Sequence, residues 1–141
     1  RSETFAATAD GPATLNGRTI RASDKAKLSD FVISLALGGR SPAARARAVR
    51  REIRISRSMG SASLALAYVA NGRFDAFVQE GGLSAWDIAA AGLIAERGGA
   101  VVTAFDGSAW YDPARPTRGV GVVAAPAAHH ARVLALASGR G

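Results

Sequence analysis

The chain has 141 residues, 48% of them hydrophobic and 21% charged, a composition that suits one folded domain and excludes a disordered polymer. It has no cysteine, which excludes disulfides and thiolate metal sites and fits a cytoplasmic protein. Eighteen Lys and Arg against eleven Asp and Glu give a net charge of +7, yet no apolar run reaches the ~18 residues of a membrane span and no secretory signal pattern opens the chain, so no membrane partner is expected.

In chain order, residues 5–8 and 19–22 are expected to be short strands around the Asn16-Gly17 turn, a dipeptide that accepts the positive φ of a tight hairpin. Residues 5–8 are expected to pair with chain that lies upstream. Residues 31–37 read as a buried strand ending at Gly38-Gly39. Ser41-Pro42 supplies a cap and a first-turn proline for a helix reaching about Arg51. Residues 52–56 alternate as a strand. Residues 61–70 form an apolar helix closed by Asn71-Gly72 in the left-handed manner. A strand at 74–79, a helix at 87–97, strands at 100–103 and 120–124, and a final helix at 126–137 complete the pattern. Residues 38–41 and 107–118 are loops. Strands and helices that alternate without a repeat predict an α/β sheet layered by helices.

The basic run Arg45, Arg47, Arg50, Arg51, Arg54 and Arg57 invites a nucleic-acid reading. At 100° per residue its helical members scatter over more than half the surface, and no aromatic residue sits among them to stack on a base. A solvated helix face is the better reading, and no nucleic-acid partner is expected. His129-His130 lacks a nearby cysteine or a spaced acid for metal binding. Asp106-Gly107-Ser108 follows the apolar run at 100–102 and reads as a turn after a strand. Trp110 and Tyr111 could line a substrate mouth or an interface.

The most informative stretch is Trp86-Asp87-Ile88-Ala89-Ala90-Ala91-Gly92-Leu93-Ile94-Ala95-Glu96-Arg97-Gly98-Gly99. It places one carboxylate, Asp87, at the start of a helix that is apolar on nearly every side and therefore expected to be buried. There the unpaired N–H groups and the positive end of the helix dipole hold an acid ionised. Such a group is either a simple helix cap or a hard oxygen ligand for magnesium. Upstream lie Arg57-Ser58-Met59-Gly60-Ser61-Ala62-Ser63-Leu64 and then Val69-Ala70-Asn71-Gly72-Arg73-Phe74-Asp75-Ala76. Glu3-Thr4-Phe5-Ala6 with the segment from Gly11 to Gly17 precedes them, and Val120-Gly121-Val122-Val123-Ala124-Ala125-Pro126 follows.

Four blocks in this order resemble the inositol monophosphatase family, whose members are magnesium-dependent, lithium-sensitive phosphomonoesterases. The glutamate pair and the Asp-Pro-x-Asp-Gly-Thr/Ser motif of that family's N-terminal half do not occur here; Thr103 stands where the first aspartate of the motif would precede Asp106-Gly107-Ser108. The resemblance therefore implies a C-terminal half, residues 1–141 forming one domain with the N-terminal catalytic half absent. Its fold would be the C-terminal portion of a layered α/β sandwich, a mixed sheet flanked by helices. It further implies that Asp87 is a ligand to Mg2+, and that Gly60, Ser61 and Ala62 touch the hydroxyls of the sugar alcohol. Glu80, seven residues before Asp87, matches the acid that accepts a hydrogen bond from a substrate hydroxyl. The interval from Asp75 is one residue longer than usual, so Gln79 competes for that role. Structural alternatives are a cap for Asp87, a tight packing turn for Gly60, Ser61 and Ala62, and a surface acid for Glu80.

Two functions follow. The first is hydrolysis of a small phosphate ester such as inositol 1-phosphate by a metal-dependent phosphomonoesterase, a homodimer when complete, with this fragment inactive alone and no catalytic residue of its own. The second is a non-catalytic basic binding or dimerisation module derived from the same fold.

Overall fold

A computed structural model describes residues 2–140. Asn16 and Gly17 both take positive φ, 50° and 79°, and fold Thr14–Leu15 (β2) back on Arg18–Thr19 (β3). Phe5–Ala6 (β1) pairs antiparallel with β2, making a small three-stranded sheet. The turn lies where it was expected, and β1 is an edge strand that pairs on one side within this chain. The partner of β1 is Thr14–Leu15 of this chain, a segment with no strand signal of its own. Ile20 N–H still donates to the Ala13 carbonyl at 3.0 Å, and beyond it Ala22 N–H turns away to the Gly98 carbonyl, 2.8 Å distant.

The main sheet has five strands: Val32–Ala36 (β4), Ile55–Arg57 (β5), Ala76–Ser84 (β6), Ala100–Ala104 (β7) and Arg118–Pro126 (β8). Their order is β5-β4-β6-β8-β7; β4 runs parallel to β5 and β6, and β8 antiparallel to β6 and β7. Helices Pro42–Glu52 (α1) and Ala127–Ser138 (α4) cover one face, where Val49, Val133 and Leu136 pack on Ile33, Ala76, Val78 and Val123. Helices Ala62–Ala70 (α2) and Ala85–Arg97 (α3) cover the other, where Leu66, Val69, Ile88 and Ala95 pack on Phe77, Leu83, Val102 and Val122. The result is the mixed α/β sheet flanked by helices that the alternating pattern predicted.

Several boundaries move for physical reasons. Glu52 stays in α1, and the strand expected from it begins only at Ile55. Ser41 sits at the left-handed φ of 51° and makes no side-chain cap bond, so proline at the first turn is the start signal of α1. Helix α3 begins at Ala85, because Ser84 rather than Asp87 occupies the capping position. It is also less buried than expected: Ala89, Ala90, Glu96 and Arg97 face solvent, and Trp86 is 62% exposed.

Strand β6 is longer than predicted and irregular. It continues past Gln79 to Ser84, and from Gln79 to Ser84 it advances five residues while β8 advances four, from Val122 to Arg118. Two irregularities make up this net surplus of one. From Gln79 to Leu83 β6 advances four residues against two of β8, and from Leu83 to Ser84 one against two, so β6 bulges after Gln79. Gly121 on β8 makes room for it: a Cβ there would stand 2.2 Å from the Glu80 carbonyl oxygen.

Residues on a strand alternate between faces. Ala76 and Val78 pack toward α1 and α4, Phe77 toward α2 and α3. Glu80 continues the first series and meets Arg45 of α1. Arg45, only 11% exposed, directs all five guanidinium N–H bonds inward. Two go to the Glu80 carboxylate at 2.8 and 3.0 Å, and the others to the carbonyls of Gly38, Arg40 and Ala137. Gly38 N–H adds a further bond to Glu80 Oε2 at 2.8 Å. This one side chain thus joins the loop after β4, the bulge of β6 and the end of α4. The hydrogen bonds from Arg45 hold the Glu80 carboxyl below its ordinary value of 4.5.

Two outcomes follow. Gly121→Ala should lower stability by about 1–3 kcal/mol in urea unfolding, because the obstacle is backbone and cannot swing aside; a loss under ~0.5 kcal/mol would mean that the bulge is loose. Because the folded pKa of Glu80 is depressed, its contribution is complete above pH 4.5 and disappears as pH falls below that through the folded value. Glu80→Gln should therefore flatten the acid limb of the stability profile while costing stability at pH 7, and an unchanged acid limb would contradict the coupling.

Candidate substrate cleft

A cavity of about 510 Å³ opens where β4 and β5 end and the N-termini of α2 and α3 begin. Its polar lining is Ser34, Ser58, Ser61, Ser63, Gln79 and Asp87. Gly60, with φ of 69°, turns the chain into α2, and Ser61 caps that helix by accepting a bond from Leu64 N–H at 3.3 Å. The remaining N–H groups of the first turn have no carbonyl partner within the helix. Ser63 Oγ donates to the Asp87 carbonyl at 2.7 Å and so ties the start of α2 to the start of α3. Two positive helix ends therefore converge on one hydroxyl-lined space, an arrangement suited to an anion.

Asp87 is the single ionisable group of that lining. Its Oδ2 accepts from Ser84 N–H at 2.8 Å, the reciprocal bond of a helix start, while Oδ1 has no hydrogen bond among the described residues. Asp87 thus braces the helix N-terminus and also lines the cleft. One carboxylate does not make a magnesium site, which takes six oxygens in near-octahedral array. No cluster of three or more His, Cys, Asp or Glu able to hold a metal occurs among the described residues. Asp87 alone fits as one ligand of a larger set, not as a site.

The other sequence candidates divide between the two faces of the sheet. Gly60, Ser61 and Ala62 line the cleft beside Asp87. Glu80 does not; its carboxylate lies behind the sheet on Arg45, and Gln79 occupies the cleft wall. Gln79 follows Phe77 in the alternation, a signal present in the sequence. Counting back from Asp87 instead crosses the bulge and arrives one residue late.

Ser34, Ser58 and Ser63 were not singled out from the sequence. Ser34 is the one with a signal, a polar residue interrupting an apolar strand, 7% exposed. Arg45 was grouped with a solvated basic run and proves to be the hub behind the sheet; Arg47, Arg50, Arg51, Arg54 and Arg57 remain exposed. The two histidines go separate ways. His129 Nε2 lies 3.1 Å from the Lys25 carbonyl, and His130, whose pKa is lowered by burial, lies against Thr103 Oγ1. Asp106-Gly107-Ser108 is a turn after β7, with Gly107 at φ of 89° and Asp106 Oδ1 accepting from Ser108 N–H at 2.9 Å.

The profile of the inositol monophosphatase family matches residues 1–140. The chain is 43% identical over 103 residues to an inositol-1-monophosphatase of Mesorhizobium japonicum, covering 69% of this chain and 38% of that protein. It is 37% identical over 116 residues to the Nus factor SuhB of Pseudomonas aeruginosa, covering 77% of this chain and 42% of that one. Among solved structures, the Thermotoga maritima IMPase superposes with a TM-score of 0.82 at 29% identity, covering 98% of this chain and 52% of the other. The chain thus spans about two fifths of the length of these curated relatives and about half of that structure. By sequence profile, by relatives and by fold, the chain belongs to the inositol monophosphatase family.

Proposed function

We propose that this chain forms the ester-binding side of a magnesium-dependent phosphomonoesterase that hydrolyses a sugar-alcohol phosphate such as inositol 1-phosphate. The observation that carries the reading is the convergence of two helix N-termini and the unpaired Asp87 oxygen on one hydroxyl-lined cleft. In the overall reaction a water oxygen bonds to phosphorus, the ester P–O bond breaks, and the released alkoxide takes up the proton given by the water. Asp87 contributes one ligand oxygen, and the remaining ligands and the catalytic groups come from polypeptide outside this chain. Bound magnesium supplies charge neutralisation at the phosphate and at the departing oxygen. Ser84 N–H holds the Asp87 carboxylate in place. The hydroxyls and free N–H groups around Gly60, Ser61 and Ala62 receive the polyol, which a polar wall orients better than an apolar one.

Exposed Arg47, Arg51, Arg54 and Arg57, together with the relative named as a Nus factor, favour a second reading, a non-catalytic basic binding module.

In the complete protein, Asp87→Asn should lower turnover by on the order of a hundredfold, since it removes metal-borne charge stabilisation worth several kcal/mol, while the melting temperature changes little. Turnover within about threefold of the parent would leave Asp87 as a helix brace only and favour the second reading. The 141-residue chain alone should release no phosphate from inositol 1-phosphate at any magnesium concentration, because a single carboxylate does not assemble a metal centre. Magnesium-dependent release by that chain would show that the site is complete within it.

A further inference from the structure

The arginine run of α1 changes its character once Arg45 is taken out of it. Arg45 turns inward to Glu80, while Arg47, Arg50, Arg51 and Arg54 are exposed. The wide angular scatter of the run came from Arg45. Without it, the arginines of α1 lie within an arc of about 100°, and Arg54 follows just past the helix end at Glu52. Arg47 and Arg51 are neighbours on that arc, about 6 Å apart along the axis. Among the described residues none of the four has an acid in ion-pair contact. Glu52, the one acid between residues 40 and 57, gives its carboxylate to Arg132 of α4. Arg50 Nε donates to Ser56 Oγ at 3.1 Å, which steadies its guanidinium.

The residues around this charge select among polyanions. No large apolar side chain is exposed on α1, so the face lacks the anchors that hold a helix in a membrane surface and the apolar centre of a protein interface. No aromatic residue stands among the arginines to stack on an unpaired base. What remains is a row of guanidiniums, planar donors that match phosphate oxygens. A duplex keeps its bases stacked inside and presents one negative charge per ~1.7 Å of axis, which such a row can follow. We infer that the outer face of α1, continued by Arg54, is a sequence-independent binding surface for the phosphate backbone of double-stranded nucleic acid. This gives the basic surface a partner and does not depend on the phosphomonoesterase reading, because α1 and α4 cover the face of the sheet opposite α2 and α3.

The test is fluorescence anisotropy of labelled duplexes of arbitrary sequence, one of RNA and one of DNA, titrated with the complete protein over a range of salt. Both should bind, within about fivefold of one another and whatever their sequence, since the contacts are to phosphates. Replacing Arg47, Arg51 and Arg54 together by Gln should weaken binding by about tenfold or more at low salt and lower the salt slope by about three. The triple Lys variant at the same positions keeps the charge and should keep the slope. A control that removes equal charge elsewhere, Arg18→Gln with Arg21→Gln and Arg140→Gln, should stay within about threefold of the parent. No duplex binding at low salt, an equal loss in the control, or tighter binding of polyglutamate or of anionic vesicles than of duplex overturns the inference. Duplex binding by a protein that releases no phosphate from inositol 1-phosphate supports it while overturning the phosphomonoesterase reading.

Discussion

Strand β6 shows alternate residues to opposite faces of the sheet, and the composition of the cleft depends on that alternation being pinned. A bulge is the place where it could slip, since a one-residue shift in register exchanges the two faces. Arg45 prevents the slip. Its guanidinium is nearly enclosed and every N–H is paired, so moving Glu80 to the cleft would strand a buried cation along with the carbonyls of Gly38 and Ala137. Breaking one member of such a set costs more than the set contributes, which favours a single arrangement over several. The same contact fastens α1 and α4 to the sheet on the side away from the ligand, so the wall facing the cleft stands on a braced support.

On the cleft side the organising force is electrostatic. The first turns of α2 and α3 lie side by side, joined by the Ser63–Asp87 bond, and their unpaired N–H groups and dipoles point into one space. Left alone, such a space attracts anions. Asp87 places a carboxylate at the same point, and the bond from Ser84 N–H keeps one of its oxygens engaged with the helix and the other turned outward. A helix start that carries its own anion is well matched to a ligand consisting of a cation and a phosphate together, and poorly matched to either alone. The neutral serine and glutamine lining around it fits a polyhydroxyl body.

Much of this was legible in the sequence. The helices α1, α2 and α4, the strands β7 and β8, the turn at Asn16-Gly17 and the family all follow from local capping, periodicity and motif order. What escaped was set by contacts between distant residues. Thr14–Leu15 is too short to carry a strand signal and is a strand only because Phe5–Ala6 and Arg18–Thr19 flank it. Nothing local separates Arg45 from the arginines that follow it in α1; its burial depends on α4 and on a carboxylate 35 residues away. The Gln79 and Glu80 alternatives were visible, but deciding between them required knowing that the extra residue falls after Gln79 rather than before it. The alternation from Phe77 carried that information, and the spacing to Asp87 concealed it.

Asp87 and Gln79 face one space, and Glu80 faces another. Nuclear magnetic resonance of the isotopically labelled complete protein, titrated with Mn2+ and inorganic phosphate, tests this arrangement directly, because paramagnetic broadening reports distance from the ion. Broadening should reach the Asp87 carboxyl first and then the Gln79 carboxamide, while the Glu80 carboxyl and the Arg45 guanidinium stay sharp. Glu80 broadening together with Asp87, or Asp87 remaining sharp while other acids broaden, would contradict it.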